Sequence, residues 1–230
     1  CTSLSHILLH SAPQNIAYIG TLVGVKISRL YVQSNQIFYI MKKYFYILGI
    51  TGLLLAIYGI ASAILYSNVI WYSYFVIGGT FFLAWINQIL KNDSLFEKSK
   101  IYLLKTYGLY LFFTILIEII GRFILNLWNY PSFNLADKVI HVFLIGYPFA
   151  FFFIYESFKL IRKKVPSLTT TIILATLINA FIHEVPNIFA WEWVYTIPYI
   201  TFQILQINIV VIVGWVVLIA IPLITKRILK

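Results

Sequence analysis

The chain has 230 residues, of which 61% are hydrophobic and 10% are charged, whereas soluble globular domains average about 25% charged residues. This composition excludes an ordinary soluble domain, and the long apolar runs indicate a polytopic membrane protein. The formal net charge is +10, but the Lys and Arg residues lie in short clusters between apolar runs. That pattern is typical of cytoplasmic loops and excludes the basic stripe of a nucleic-acid-binding protein.

Residues 1–40 differ from the rest of the chain. Their longest apolar stretch, Ile16–Val25, is too short to span a bilayer, and they lack the charged start, apolar middle and small-residue end of a signal peptide. Met41 and the two lysines after it, just before a long apolar run, are typical of a natural start. We therefore predict that residues 1–40 are an extension, either disordered or not part of the native protein. The alternative is a mature lipoprotein acylated at Cys1.

Residues 41–230 form the predicted transmembrane domain, with six apolar runs near the roughly 20 residues that a bilayer requires. The fold class is all-α, a polytopic bundle, and the predicted spans are Phe45–Tyr66, Ile70–Leu90, Ile101–Leu125, Val139–Ile161, Leu168–Phe189 and Tyr199–Ile224. The clusters of Lys and Arg all fall on one side of such a bundle, and the opposite connections carry only Lys138 as a cation. The positive-inside rule then predicts that both termini are cytoplasmic.

Polar side chains concentrate near the predicted outer ends of four spans. Ionisable residues inside a membrane are costly, so each is a functional-site hypothesis by default. The candidates are Glu118, Arg122, His141, Asn179, His183, Glu184, Asn187 and Asn208. Ordinary structural roles stay open for all of them: a neutralised ion pair, a solvated helix start, a hydrogen-bonded helix end or a bond across helices.

Aromatic residues cluster at the same predicted membrane face, where they act as interfacial anchors or line a cavity. Those considered for binding are Trp128, Tyr130, Trp191 and Trp193. A metal site from the His, Asp and Glu residues of the predicted spans is conceivable, but no HExxH or HxxxH spacing within residues 41–230 supports it. There is also no GxSxG elbow for a serine nucleophile. The sequence therefore predicts neither a metal nor a cofactor.

Several short motifs lie between residues 116 and 215. They are Glu118-Ile-Ile-Gly121, Trp128-Asn-Tyr130, Gly146-Tyr-Pro148, Glu184-Val-Pro186, Trp191-Glu-Trp193, and Asn208 followed by Gly214-Trp215. In these motifs the chain resembles integral-membrane carotenoid-biosynthesis proteins, the bisanhydrobacterioruberin hydratase and lycopene cyclase-like group. The resemblance implies an all-helical bundle with acidic and aromatic residues near one membrane face.

The resemblance also implies hydration or cyclisation of an isoprenoid alkene, which begins with protonation of a carbon–carbon double bond. That step needs a carboxylic acid kept protonated by an apolar site, and aromatic faces and a carboxylate stabilise the carbocation. On this hypothesis Glu184 is the acid, and Glu118 is a charge stabiliser held by Arg122. His141 or His183 would relay protons. The aromatic candidates line the cavity, and Asn179, Asn187 and Asn208 complete the binding site.

Two other functions stay open. A small-solute transporter needs a polar path across the whole bilayer, whereas the polar residues concentrate in the outer half of the spans. A non-catalytic assembly or sensor protein would use the polar cluster for packing. The expected partners are membrane lipids and an isoprenoid or lipid substrate, without nucleic acid, and the oligomeric state is not indicated. The abundance of Ile, Lys, Asn, Phe and Tyr favours an AT-rich prokaryotic genome, hence a prokaryotic cytoplasmic membrane.

Overall fold

Six long helices make up most of the structure. The computed structural model describes residues 45–197 and 200–229, and the predicted extension over residues 1–40 lies outside them. The helices are α1 (Phe45–Tyr66), α2 (Trp71–Ile89), α3 (Lys100–Ile124), α4 (Leu135–Lys164), α5 (Leu168–Ala190) and α6 (Ile209–Ile228). The predicted helical bundle is confirmed in this form, and the chain from Ile47 onward forms one compact unit.

Five of these helices, all except α2, are long and apolar enough to cross a membrane. Helix α2 does not meet that criterion because its apolar residues are interleaved with Trp, Tyr, Ser and Gly and are followed by Asn87 and Gln88. The prediction of six spans is therefore supported for five helices. Large apolar side chains such as Leu54, Leu104 and Val213 are exposed along them, which suits contact with lipid rather than with water.

Helix α2 lies inside the bundle between α1 and α4. Its Trp71 and Phe75 side chains are buried, and it packs along α4. Against α1 the two backbones approach closely, since a Cβ atom added to Gly78 would lie 2.5 Å from both the Ala56 nitrogen and the Gly52 oxygen. Small residues permit this kind of close helix packing in membranes.

Replacing Gly78 by Val should therefore force α1 and α2 apart. Because the obstructing atoms are backbone atoms that cannot rotate away, we expect a loss of about 1–3 kcal/mol or more in the free energy of unfolding. Denaturant unfolding in detergent measures this loss. The matched control is Gly108→Val, because Gly108 is also helical and a Cβ there meets no atom within 4 Å. Equal stabilities of the two variants would contradict the close packing.

Two helices depart from α-geometry at the same end of the bundle. Helix α3 finishes in a π-helical segment, Glu118–Ile124, and α4 contains another, Lys138–Gly146. Helix α4 starts with a capping box in which Asn134 and Asp137 bond to each other's backbone nitrogens. Wider π-turns are rare and occur frequently at functional sites.

The connections at this end pair with each other. Strand β1 (Trp128–Asn129), between α3 and α4, pairs antiparallel with β2 (Val194–Tyr195), between α5 and α6. Trp128 is opposite Tyr195, and the Thr196 nitrogen donates to the Leu127 oxygen at 2.8 Å. We call the two segments Trp128–Tyr130 and Trp193–Tyr195 the ribbon.

The predicted start of the sixth span at Tyr199 is wrong. Strands β3 (Gln203–Ile204) and β4 (Ile207–Asn208) form a hairpin there, and α6 begins only at Ile209. Asn208 is the reason, because its side chain caps the helix by accepting a hydrogen bond from the Val210 nitrogen at 2.9 Å.

At the end opposite the ribbon, Glu156 joins α4 to the connection between α2 and α3. The Glu156 side chain is fully buried. Its carboxyl oxygens accept hydrogen bonds from the Asn87 amide at 2.6 Å, the Ser94 hydroxyl at 2.9 Å and the Leu95 nitrogen at 2.9 Å. This carboxyl group therefore has a structural role far along α4 from the ribbon.

Candidate functional site

A cavity of about 540 Å³ lies between α3, α4, α6 and the ribbon, within the size range of small-molecule sites. Its walls are mostly aliphatic. The polar and aromatic side chains in the lining are Tyr72, Phe113, Trp128, Tyr130, His141, Tyr147, Phe151, Glu184, Glu192, Trp193, Tyr195 and Trp215. Two carboxyl groups are present, whereas no Lys or Arg of the described residues contributes to the lining. The site thus combines an apolar volume with groups that favour a positive charge.

The cavity opens to the side, between α3 and α6. Four residues line the cavity and are also exposed on the outer surface of the bundle: Ile120 on α3, Leu125 directly after α3, and Val217 and Ile224 on α6. Beside them, Gly214 leaves open space, because a Cβ there would meet no atom within 4 Å. A hydrocarbon chain could enter through this gap without crossing the bundle.

Glu184 is held at the cavity by three neutral donors. Its Oε1 accepts hydrogen bonds from the Tyr195 hydroxyl at 2.8 Å and the Trp215 indole at 3.0 Å. Its Oε2 accepts one from the Trp193 indole at 3.1 Å. The side chain is only 4% exposed. A carboxylate that accepts several hydrogen bonds is stabilised in its ionised form.

Glu118 has a similar set of donors on the neighbouring side of the ribbon. Its Oε1 accepts hydrogen bonds from the Trp128 indole at 3.1 Å and the Tyr130 hydroxyl at 2.8 Å. Arg122 lies 3.7 Å from its Oε2. The Trp128 ring packs directly on Gly121, where an added Cβ would lie 1.8 Å from the ring. Glu118 and Arg122 are behind the cavity wall, and their contacts position Trp128 and Tyr130, which line it.

The two carboxyl groups are bound in the same manner. Trp128-Asn-Tyr130 bonds to Glu118, and Trp193-Val-Tyr195 bonds to Glu184, each through one indole and one phenol. Alternate residues of a strand point to the same face, so both Trp-x-Tyr pairs point into the bundle. The shared spacing was visible in the sequence, but only the strand pairing brings the two segments together.

Glu192 is a site residue that the sequence analysis missed. It lines the cavity, is 1% exposed, and accepts a hydrogen bond from the Tyr72 nitrogen at 3.3 Å. Burial raises the pKa of this carboxyl well above its ordinary value, and the single backbone bond offsets the effect only in part. The sequence feature that could have identified Glu192 is its position between two tryptophans in Trp191-Glu-Trp193, which we interpreted only as an aromatic motif. The surroundings of Glu192 therefore favour the protonated form of its carboxyl group.

The raised pKa of Glu192 predicts a pH-dependent stability. Because the folded protein binds this proton more tightly than the unfolded chain does, protonation of Glu192 stabilises the fold. Its contribution to the free energy of unfolding is complete below pH 4.5, the ordinary pKa, and is lost as the pH rises through the higher pKa of the folded state. We expect Glu192→Gln to raise the Tm at pH 8, by about 2–4 °C for each kcal/mol that the substitution adds to the free energy of unfolding. The rise in Tm should be smaller at pH 4.5. Thermal unfolding in detergent across this range measures the effect. A gain of the same size at every pH would contradict the assignment.

The two histidines differ in their access to the cavity. His141 lines it, and its Nδ1 is 2.8 Å from the Ser73 hydroxyl. His183 is fully buried, with its Nδ1 2.8 Å from the Tyr72 hydroxyl and its Nε2 without a hydrogen-bond partner in the described part of the chain. The rings of Phe75, Phe153 and Trp215 surround it. Only His141 could contact a molecule in the cavity.

The remaining candidates hold the structure around the site. Asn179 bonds to Ser157 and to the Ala175 oxygen, and Asn208 caps α6. Asn187 binds the Trp193 backbone through both its amide nitrogen and its amide oxygen, at 2.7 and 3.2 Å. Trp191 is 61% exposed and ends α5 in a left-handed conformation. Within the described residues no group of three or more His, Cys, Asp or Glu side chains could hold a metal ion.

In comparisons with known proteins, no family model, no curated protein and no solved structure matches this chain.

Proposed function

We propose that this protein is an integral-membrane enzyme that hydrates or cyclises an isoprenoid or related unsaturated lipid by acid–base chemistry. The observation that carries the proposal is the composition of the cavity. It is apolar, open to the side, and has the carboxyl groups of Glu184 and Glu192 in its lining but no cationic side chain among the described residues. This arrangement suits a hydrocarbon substrate whose reaction develops a positive charge.

Glu192 is our proposed acid, and Glu184 the anionic partner, which reverses the sequence-based assignment of Glu184 as acid. Three donors to Glu184 favour its carboxylate. The Glu192 carboxyl accepts only one backbone hydrogen bond, and burial raises its pKa well above the ordinary value, which favours the protonated form. Two carboxyl groups whose environments favour opposite protonation states can supply both an acid and a base.

The reaction then balances without a cofactor. Glu192 donates its proton to one carbon of the double bond, and the adjacent carbon becomes a carbocation. The Glu184 carboxylate and the aromatic faces of Trp193 and Trp215 stabilise this charge. In hydration, water adds to the cation and gives a proton to Glu184. In cyclisation, a second double bond adds to the cation, and a carbon next to the new cationic centre gives its proton to Glu184 as the final double bond forms. Proton return from Glu184 to Glu192 completes the cycle.

Other residues of the site have supporting roles in the proposal. His141, with Ser73 at 2.8 Å, is the group best placed to conduct a water molecule or a proton to the cavity. Glu118 and Arg122 act through the ribbon, because they hold Trp128 and Tyr130 against the substrate. They are positioning residues.

We also propose that α2 completes six spans, with both termini cytoplasmic in a prokaryotic cytoplasmic membrane. The support is the distribution of charge. Lys98, Lys159 and Lys226 lie together at the end opposite the ribbon, as the positive-inside rule requires of a cytoplasmic face. The ribbon and the part of the cavity beside it then lie at the depth of the outer leaflet.

Mass spectrometry of lipid extracts tests the proposed function. The full chain is expressed in a host that makes isoprenoids and carotenoids, beside its Glu184→Gln variant. We expect a product that differs by the mass of one water, or an isomer with a new retention time, that is absent with the variant. Identical extracts from cells that contain both folded, inserted proteins would contradict an enzyme acting on isoprenoids of that host.

A further inference from the structure

Three lysines from three elements surround one aspartate at the end of the bundle opposite the ribbon. Asp93 lies between α2 and α3. Its Oδ1 is 2.6 Å from the Nζ of Lys98 in the same connection. Its Oδ2 is 3.0 Å from the Nζ of Lys226 on α6 and 4.0 Å from the Nζ of Lys159 on α4. We call these four residues the lysine cluster.

The lysine cluster has more positive than negative charge. Three ammonium groups share one carboxylate, and Lys226 also donates to the Tyr155 hydroxyl at 2.8 Å. At 4.0 Å from Asp93, the Lys159 ammonium is beyond hydrogen-bond distance. The fully buried Glu156 also interacts electrostatically with Lys159, but three ammonium groups still outnumber the two carboxyl groups.

Asp93 keeps the three lysines together at every physiological pH. Burial by itself would raise the pKa of its carboxyl, but hydrogen bonds from Lys98 and Lys226 outweigh burial and lower the pKa to about 2. The carboxylate therefore stays ionised and holds the lysine side chains. Their exposed fractions of 40% for Lys98, 26% for Lys159 and 29% for Lys226 leave the ammonium groups accessible from the surface.

We propose that the lysine cluster is a binding site for a phosphate group, carried by an anionic phospholipid head group or present as a free phosphate. Ammonium groups bind phosphate as point charges. The cluster lies near the last turns of α4 and α6, where helices that cross a membrane reach the depth of the head groups. The site is separate from the cavity and does not depend on the proposed reaction.

Lys159→Met is the variant that tests the site, because it removes an ammonium that forms no hydrogen bond in the described structure. Lys164→Met is the matched control: it removes the same charge from an exposed position on the same helix. Native mass spectrometry of the full chain from phosphatidylglycerol and phosphatidylcholine nanodiscs counts retained lipids. Phosphorus NMR of inorganic phosphate, with the protein in neutral detergent, measures the free ion. Lys98→Met tests the same site if Lys159→Met does not fold.

We expect binding in at least one arm, weakened about fivefold by Lys159→Met, the effect of one basic residue near an anionic surface. It should be unchanged in Lys164→Met and retained in Lys159→Arg. If Lys159→Met weakens only the binding of phosphatidylglycerol, the ligand is a lipid head group. If it weakens the binding of inorganic phosphate, the ligand is a free phosphate. No binding in either arm, or equal weakening by Lys159→Met and Lys164→Met, would overturn the proposal and leave an ordinary charged surface.

Discussion

Glu184→Gln is expected to lower the turnover of the isoprenoid substrate by about 10²–10⁴-fold, the usual contribution of one acid–base group. The amide is nearly isosteric and still accepts the hydrogen bonds at its oxygen, but it cannot carry a negative charge or take a proton. The proposed carbocation would then lose its anionic partner, because the only other carboxyl group in the described lining is the proposed acid, Glu192. Turnover by the purified protein in detergent or nanodiscs measures this loss.

The matched control for Glu184→Gln is Glu156→Gln. Glu156 is an equally buried carboxyl group that is bonded to neutral donors, but it lies outside the cavity lining. This control should keep the turnover of the wild-type protein within about threefold if it remains folded, since buried-site substitutions act mainly on stability. Glu192→Gln should lose turnover as Glu184→Gln does. Full turnover in both Glu184→Gln and Glu192→Gln would contradict the acid–base roles proposed for these two residues.

A long-chain tertiary amine is expected to bind at least 100-fold more tightly than an alcohol with the same hydrocarbon chain, since transition-state analogues bind about 10²–10⁸-fold more tightly than substrates. At neutral pH the amine is protonated and has the positive charge that the proposed carbocation has. The Glu184 carboxylate and the aromatic lining stabilise that charge, whereas the apolar walls bind both chains equally.

Indole fluorescence measures this difference, because Trp128, Trp193 and Trp215 all line the cavity. The Glu184→Gln variant serves as the control for charge: it should reduce the preference for the amine about tenfold while the affinity for the alcohol stays the same. Equal affinities of amine and alcohol for the wild-type protein would show that the cavity is a neutral lipid pocket. The carbocation mechanism would then lose its electrostatic basis.

The long helices could be predicted from the sequence because hydrophobic run length alone determines them. Helix α1 ends at Tyr66 as predicted, since polar residues follow it. The start of α6 could not be predicted in this way. Between Tyr199 and Ile209 the chain is still apolar, and its hairpin depends on a cap by Asn208 that a hydropathy pattern does not reveal.

The candidate site could be predicted only in part, because a helical period shows which residues share a face but not what lies opposite. Glu184 could be identified because an ionisable side chain inside a membrane is unfavourable in free energy and therefore indicates a function. The structure places it in the lining of the cavity. Its donors Tyr195 and Trp215 are 11 and 31 residues away along the chain. Glu192 was missed because it follows the helix in a short connection, where an acidic residue would ordinarily be solvated.

The most direct test of the proposed mechanism is the reaction of the purified protein in D₂O, followed by mass spectrometry and NMR of the lipid product. Because Glu192 exchanges its proton with solvent and then protonates a carbon, we predict one carbon-bound deuterium for each product molecule. No label should appear with Glu192→Gln. A product without carbon-bound deuterium, or labelling that is unchanged in Glu192→Gln, would contradict the proposed acid–base mechanism.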